Sequence, residues 1–209
     1  MKLVIESACK TFGDHLVLDH VPLTCESGKI YGFVGYNGCG KTVLFKCICG
    51  FLSLDQGNIT VDGQNPEKWL KHGIRLGAII EEPAFLKEKS ALQNLEYLYC
   101  VNHKPNREYL YEMLRKVGLS PTDKKHVGNY SMGMKQRLAI AQAIMEDPDI
   151  LILDEPMNGL DRTGVLEMRA LFKELQKNGK IILLASHNRE DISELCNEIY
   201  EMDKTITMK

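Results

Sequence analysis

The sequence predicts an α/β fold: a P-loop-type core with a mainly parallel sheet covered on both faces, an N-terminal antiparallel β subdomain and a lateral helical subdomain. Three observations predict it. Short apolar runs ("IYGFVG", "GIRLGAII", "DILILD", "KIILLAS") alternate with stretches of helical periodicity, the pattern of parallel strands joined by crossover helices. The start is instead strand-rich, with segments near 2–9 and 16–25 before a turn at Ser27-Gly28-Lys29. The run at roughly 88–140 is helical and interrupts the alternation. It reads as an insert in a single domain spanning 1–209.

Each element has a local reason. "IYGFVG" is an apolar strand that runs into a glycine-rich loop. A helix follows from about Lys41 and stops near Gly50, since glycine ends helices readily. "GNITVDG" is a strand bracketed by turn residues, and "GIRLGAII" is another. "ALQNLEYLYC" and "NREYLYEMLRKVG" are helical within 90–118, and a further helix is expected over 131–146. "DILILD" and "KIILLAS" are buried strands. Between them "TGVLEMRALFKELQKNG" is an amphipathic helix ending at Gly179. "REDISELCN" makes a short helix and "EIYEMDKTITM" a closing hairpin.

Composition excludes some functions. With 26 basic and 28 acidic residues the net charge is −2, so nothing in bulk draws the chain to nucleic acid or an anionic membrane. The seven cysteines are odd in number and form no CxxC pair, as expected of reduced, mostly buried thiols in a cytosolic protein. "MKLVIESACK" alternates like a strand and does not read as a signal peptide. No apolar stretch approaches the ~18–20 residues of a membrane span. Any membrane role must come through a partner.

"GYNGCGKT", Gly35 to Thr42, matches G-x-x-x-x-G-K-[ST], with an apolar strand before it and a helix after it. Gly35, Gly38 and Gly40 permit backbone conformations and close approaches that a Cβ would block. The loop N–H groups and the helix start then wrap an anion. Lys41 is placed to reach β- and γ-phosphates and Thr42 to hold Mg2+. Asn37, Cys39 and Val43 complete the candidate binding segment. The alternative, a glycine-rich turn with a chance lysine, does not account for the flanking strand and helix.

"DILILDEP" ends a buried strand in two acids and a proline, at the carboxyl end where parallel sheets bind ligands. Asp154 is placed in the Mg2+ shell. Glu155 stands one step on, to orient and deprotonate a water that attacks a γ-phosphate. "IILLASHNRED" repeats the plan, and His187 is a candidate hydrogen-bond donor to that phosphate. His15, His20, His72, His103 and His126 lack such a setting.

"NYSMGMKQRLAIAQAIMED" has its charges inverted for a helix. Ser131 is a good N-cap, yet the first turn holds no acid, while Lys135 and Arg137 follow at once and Glu146 and Asp147 sit at the far end. A helix start favours negative charge by ~0.3–1 kcal/mol, and no residue at Met134 closes a capping box.

In this order, these features resemble the nucleotide-binding subunit of ATP-binding cassette (ABC) transporters over nearly the whole chain. "YSMGMKQRLAIAQAI" is the specific element. It resembles the family's signature, usually Leu-Ser-Gly-Gly-Gln followed by a Gln-Arg helix. "NGLD", Asn158 to Asp161, falls at the D-loop and Phe12 at the adenine-stacking aromatic, where the plainer reading is an apolar residue ending a strand. The resemblance implies ATP and Mg2+ as ligands and ATP hydrolysis as the activity. It implies two subunits stacked head to tail, each ATP lying between one subunit's phosphate loop and the other's Ser131 and Gly133. The anion this helix start awaits is then the partner's γ-phosphate. Met132, Met134 and Tyr130 depart from the usual signature, and Glu81 stands where the family has a glutamine that contacts Mg2+ and water. These departures resemble the bacitracin-resistance and lantibiotic-immunity branch of exporters, whose members usually continue further at the C-terminus, so a short member or a trimmed chain is implied. Pro83, Ala84, Phe85 and Leu86 fall where a transporter's cytoplasmic helix docks. The implied partners are a transmembrane permease on another chain and a second ATPase subunit, with no nucleic acid. The implied location is cytoplasmic, on the inner face of the membrane. A soluble assembly or regulatory ABC ATPase is the alternative.

Overall fold

The computed structural model describes residues 1–81 and 83–208. Glu82, which follows Glu81 in the expected docking loop, lies outside them. Strands β1 (Lys2–Phe12) and β2 (His15–Glu26) form a long hairpin, with β4 (Gln56–Val61) on the other side of β1, all antiparallel. A second sheet of six strands has the order β5-β6-β7-β3-β8-β9. It comprises β3 (Ile30–Val34), β5 (Leu76–Ile79), β6 (Ile150–Asp154), β7 (Ile181–Ala185), β8 (Glu198–Asp203) and β9 (Thr205–Met208). All its pairings are parallel except β8 with β9.

The helices are α1 (Lys41–Ile48), α2 (Ala91–Asn102), α3 (Arg107–Lys116), α4 (Met132–Ile144), α5 (Arg162–Lys177) and α6 (Arg189–Leu195). None among the described residues is long and apolar enough to cross a membrane. The expected insert of 88–140 takes in α2, α3 and most of α4. That last helix also lies on the parallel sheet: Gly77 of β5 abuts the Ala143 carbonyl, where any Cβ would collide. Leu138 and Ile140 accordingly share a core with Leu151 and Leu153 of β6.

Alternation explains why the central strands read as unbroken apolar runs. In β6, Leu151 and Leu153 join the core under α2–α5, while Ile150 and Ile152 join the core facing the antiparallel sheet. In β7, Ile182 and Leu184 point one way and Ile181, Leu183 and Ala185 the other. A strand covered on both faces has no solvent side to make polar.

The first hairpin is longer than its periodicity suggests. Phe12 pairs with His15 across Gly13-Asp14, and Gly13 takes φ 57°, which suits a two-residue turn. Both residues flanking the turn are thereby held at the hairpin tip.

Candidate active site

The strand order places β7 between β6 and β3. Phe33 of β3 and Asp154 of β6 both pair with Ala185 of β7, so three carboxyl ends come level. The glycine loop after β3, the acids after β6 and His187 after β7 therefore open on one cavity of about 610 Å³. Asn37, Gly38, Gly40, Lys41, Thr42 and Val43 line it from the loop side, and Asp154, Glu155 and His187 from the sheet side.

Two loop glycines have clear physical causes. At Gly40 (φ 109°) a Cβ would press on the Val17 carbonyl and Leu18. At Gly35 it would come within 2.5 Å of the Met202 carbonyl and 2.7 Å of Cys39 Sγ. Gly35 and Cys39 shape the loop from behind and do not line the cavity. Cys39 is buried. Lys41 Nζ donates to the Gly35 and Tyr36 carbonyls at 2.8 and 3.1 Å, and to Cys39 Sγ at 3.5 Å. Its ammonium is thus held at the loop's centre, with the N-terminus of α1 beside it.

Thr42 Oγ1 donates to Asp154 Oδ2 at 2.7 Å, which joins the first turn of α1 to the end of β6. Glu155 sits at φ 51° and its N–H donates to the Ala185 carbonyl at 2.9 Å. Its Oε1 is buried without a hydrogen-bond partner among the described residues. His187 Nε2 is 3.5 Å from that oxygen, an ion-pair contact too long for a good hydrogen bond. Burial raises the Glu155 pKa; neighbouring Asp154 raises it further, while His187 pulls it back. A half-buried carboxylate with an open lone pair is what a base that orients a water requires.

Phe12 is 46% exposed and lines the far wall with His15 and Val17. Lys10 Nζ stands 5.6 Å from its ring centroid and is anchored by Asp55 at 2.8 Å.

Three expected residues sit differently from the simplest picture. Glu81 lines the cavity, but its Oε1 is 2.5 Å from Lys46 Nζ on α1, so a metal role would require it to leave that lysine. Ser131 caps α4, its Oγ accepting from Met134 N–H at 3.2 Å, and does not line this chain's own cavity. The resemblance implies that Gly133 allows a close approach of phosphate; a Cβ there would also come within 2.6 Å of the Gly159 carbonyl, so the packing of α4 on the D-loop segment itself calls for glycine. In the docking loop, Leu86 is exposed, whereas Phe85 is half-buried against the core.

His15, Gln136 and Pro83 also line the cavity. Nothing in the sequence around His15 singles it out as a site residue. The signal that could have found it is the two-residue turn, which makes it the cross-strand neighbour of Phe12. Gln136 comes from inside α4, and only the packing of that helix brings it here.

An anion wrapped by the 35–42 loop meets the start of α1 and Lys41, with Thr42 and Asp154 already joined beside it. That is the architecture of the P-loop nucleoside triphosphate-binding proteins. Within that class, the chain belongs to the ABC transporter family, as an ATP-binding subunit: the family profile described as "ABC transporter" matches residues 18–158. It is 38% identical over 187 residues to the ABC transporter ATP-binding protein YybJ of Bacillus subtilis, covering 90% of this chain and 86% of that one. Identity is 35% over 198 residues to the lantibiotic transport ATP-binding protein SrtF of Streptococcus pyogenes, covering 94% and 85%. It is 38% over 192 residues to the bacitracin transport ATP-binding protein BcrA of Bacillus licheniformis, of whose length this chain spans 63%. The fold matches a solved ATP-binding subunit of an ABC transporter with a TM-score of 0.89 at 23% identity, covering all of this chain and 90% of that one.

Proposed function

We propose that the chain hydrolyses ATP to ADP and phosphate and couples this to export through a transmembrane permease on another chain. The carrying observation is the cluster at the ends of β3, β6 and β7, above all the Thr42–Asp154 hydrogen bond beside the unpartnered Glu155 Oε1. Lys41 and the loop N–H groups bind the triphosphate, and Phe12 stacks on adenine. The Thr42 hydroxyl and Asp154 carboxylate are hard oxygen donors that suit Mg2+. These two would hold the ion, which when bound neutralises phosphate charge. Glu155 orients the attacking water and takes its proton; His187 donates to the γ-phosphate.

The similarity to lantibiotic and bacitracin transport proteins favours an antimicrobial peptide or drug as cargo. Exposed Leu86, Tyr97, Leu98 and Val101 on and before α2 offer the permease an apolar face, which supports a subunit docked on the inner surface of the membrane. Ser131 does not line this chain's own cavity, consistent with a grip on the γ-phosphate of a second subunit.

The test is light scattering after size exclusion with Mg-ATP. Glu155→Gln is expected to trap a dimer that wild type does not keep, and adding Ser131→Arg returns it to monomer. A dimer that survives Ser131→Arg removes the cross-subunit role of the signature helix. Co-purification of the wild-type subunit with a polytopic membrane protein checks the transport reading.

Two smaller effects follow. Lys41→Ala removes the side-chain cation aimed at the phosphates and lowers ATP affinity about tenfold to a hundredfold, as expected for charged hydrogen bonds. Unchanged affinity by equilibrium titration would count against the loop assignment. Phe12→Ala costs ~1–3 kcal/mol in ATP affinity but leaves inorganic triphosphate binding unaltered. Equal losses for both ligands would mean that Phe12 does not stack.

A further inference from the structure

The β1–β2 hairpin carries a second cluster of metal-type donors, outside the nucleotide cavity. Its pairing runs Ala8 with Val21 and then Lys10 with Leu18, so Asp19 and His20 together oppose Cys9 alone. This is a β-bulge. It keeps both Leu18 and Val21 in the core. His20 adopts φ 47°, a left-handed conformation uncommon in non-glycine residues, among which histidine is enriched. Neighbours in a regular strand point to opposite faces. Here the bulge brings Asp19 and His20 to the same side. One ligand atom each from Cys9, Asp19 and His20 lies within 4.8 Å of the others. His20 Nδ1 is 2.7 Å from Asp19 Oδ1, and Cys9 Sγ accepts the His20 N–H at 3.4 Å.

We propose that Cys9, Asp19 and His20 form a divalent-metal site selective for Zn2+. Thiolate, imidazole and carboxylate are all zinc ligands, and three of them leave the fourth tetrahedral position to water. The sulfur and imidazole donors discriminate against Mg2+, which prefers an all-oxygen shell. Binding requires the Cys9 thiol, which points at the Ser7 carbonyl at 3.6 Å, to release its proton. The Asp19 carboxylate must also open from 2.7 Å to the ~3.3 Å edge of a zinc tetrahedron. That is a small side-chain rotation at an exposed position. The site ties the hairpin together below the tip that carries Phe12 and His15. The Asp19 N–H also donates to the Lys204 carbonyl at 2.9 Å, which links the site to the β8–β9 turn. Bound zinc therefore clamps the strand that presents Phe12 to the cavity.

Equilibrium dialysis of the full chain against Zn2+ without nucleotide tests this, beside Cys9→Ser, His20→Asn and the control Cys100→Ser. Serine matches the thiol in shape and asparagine tolerates the left-handed backbone, so both variants are expected to fold, as thermal melts would verify. The expected result is about one zinc per chain, retained by Cys100→Ser and weakened at least tenfold in the other two. Cobalt in place of zinc gives a thiolate charge-transfer band that disappears in Cys9→Ser, and excess Mg2+ does not displace the metal. Absence of zinc binding in wild type overturns the proposal. So does binding that Cys9→Ser and His20→Asn leave unchanged. Neither result bears on ATP hydrolysis, which is measured separately.

Discussion

Glu155→Gln stops ATP hydrolysis while leaving ATP binding intact. The amide matches the carboxylate in size and cannot accept the proton of the attacking water. General-base catalysis contributes typically ~10²–10⁴-fold, and a loss of that order is expected in single-turnover phosphate release. Binding is expected to survive, because on the proposed reading Lys41, the loop N–H groups and Phe12 hold the nucleotide independently of this oxygen. The pH profile carries a second signature. Burial and Asp154 push the Glu155 carboxyl up from its ordinary value, and only its deprotonated form acts as base. The rate therefore rises with pH through that raised pKa, and the acid limb lies at higher pH than for an ordinary glutamate. A Glu155→Gln protein that hydrolyses ATP within a few-fold of wild type would remove Glu155 as the base.

Arg169→Met is expected to be strongly destabilising although it lies outside the cavity. Arg169 on α5 donates through Nε and Nη2 to Asp191 Oδ1 on α6, the first bond at 2.9 Å. Its Nη1 also reaches Glu190 at 3.1 Å. The Asp191 side chain is 1% exposed and the Arg169 side chain 9%. Removing the arginine strands a buried carboxylate whose remaining side-chain hydrogen bond, among the described residues, is from the Ser186 hydroxyl at 3.5 Å. Breaking a buried pair from one side costs about 3–5 kcal/mol. For a chain of this size that lowers the melting temperature by roughly 10 °C. Asp191→Asn should cost less, because the exposed Glu190 still partners Arg169. The double variant Arg169→Met/Asp191→Leu should recover most of the loss, since an apolar replacement leaves no unpaired charge. Urea midpoints measure all three. A double variant no better than Arg169→Met would show that packing, not charge, dominates this contact. Ser186 Oγ also accepts the Asn188 N–H at 3.1 Å, so the same network braces the segment carrying His187.

The parts legible in sequence are contiguous. "GYNGCGKT" states its own loop, because three glycines in a short span free the backbone for positive φ and the lysine and threonine open the helix. "DILILD" and "KIILLA" announce two-faced burial by having no polar side. The inverted charges of "SMGMKQR" show a helix start without an acid in its first turn before any fold is known. From the sequence alone follow the class of fold, the glycine-rich loop between strand and helix, the acids at a strand end and the family.

How separate segments meet is set by packing between distant elements. Register across β6 and β7 sets Glu155 Oε1 3.5 Å from His187, a distance that no local spacing encodes. Glu81 turns to Lys46 because α1 passes beside its loop. Gly133 is glycine because Gly159, 26 positions on, fills its Cβ direction. His15 reaches the cavity through one cross-strand pairing, and Cys9 meets Asp19 and His20 through one bulge. Local propensity and periodicity act over a few residues, whereas each of these contacts depends on how distant elements pack, and that arrangement exists only once the chain has folded.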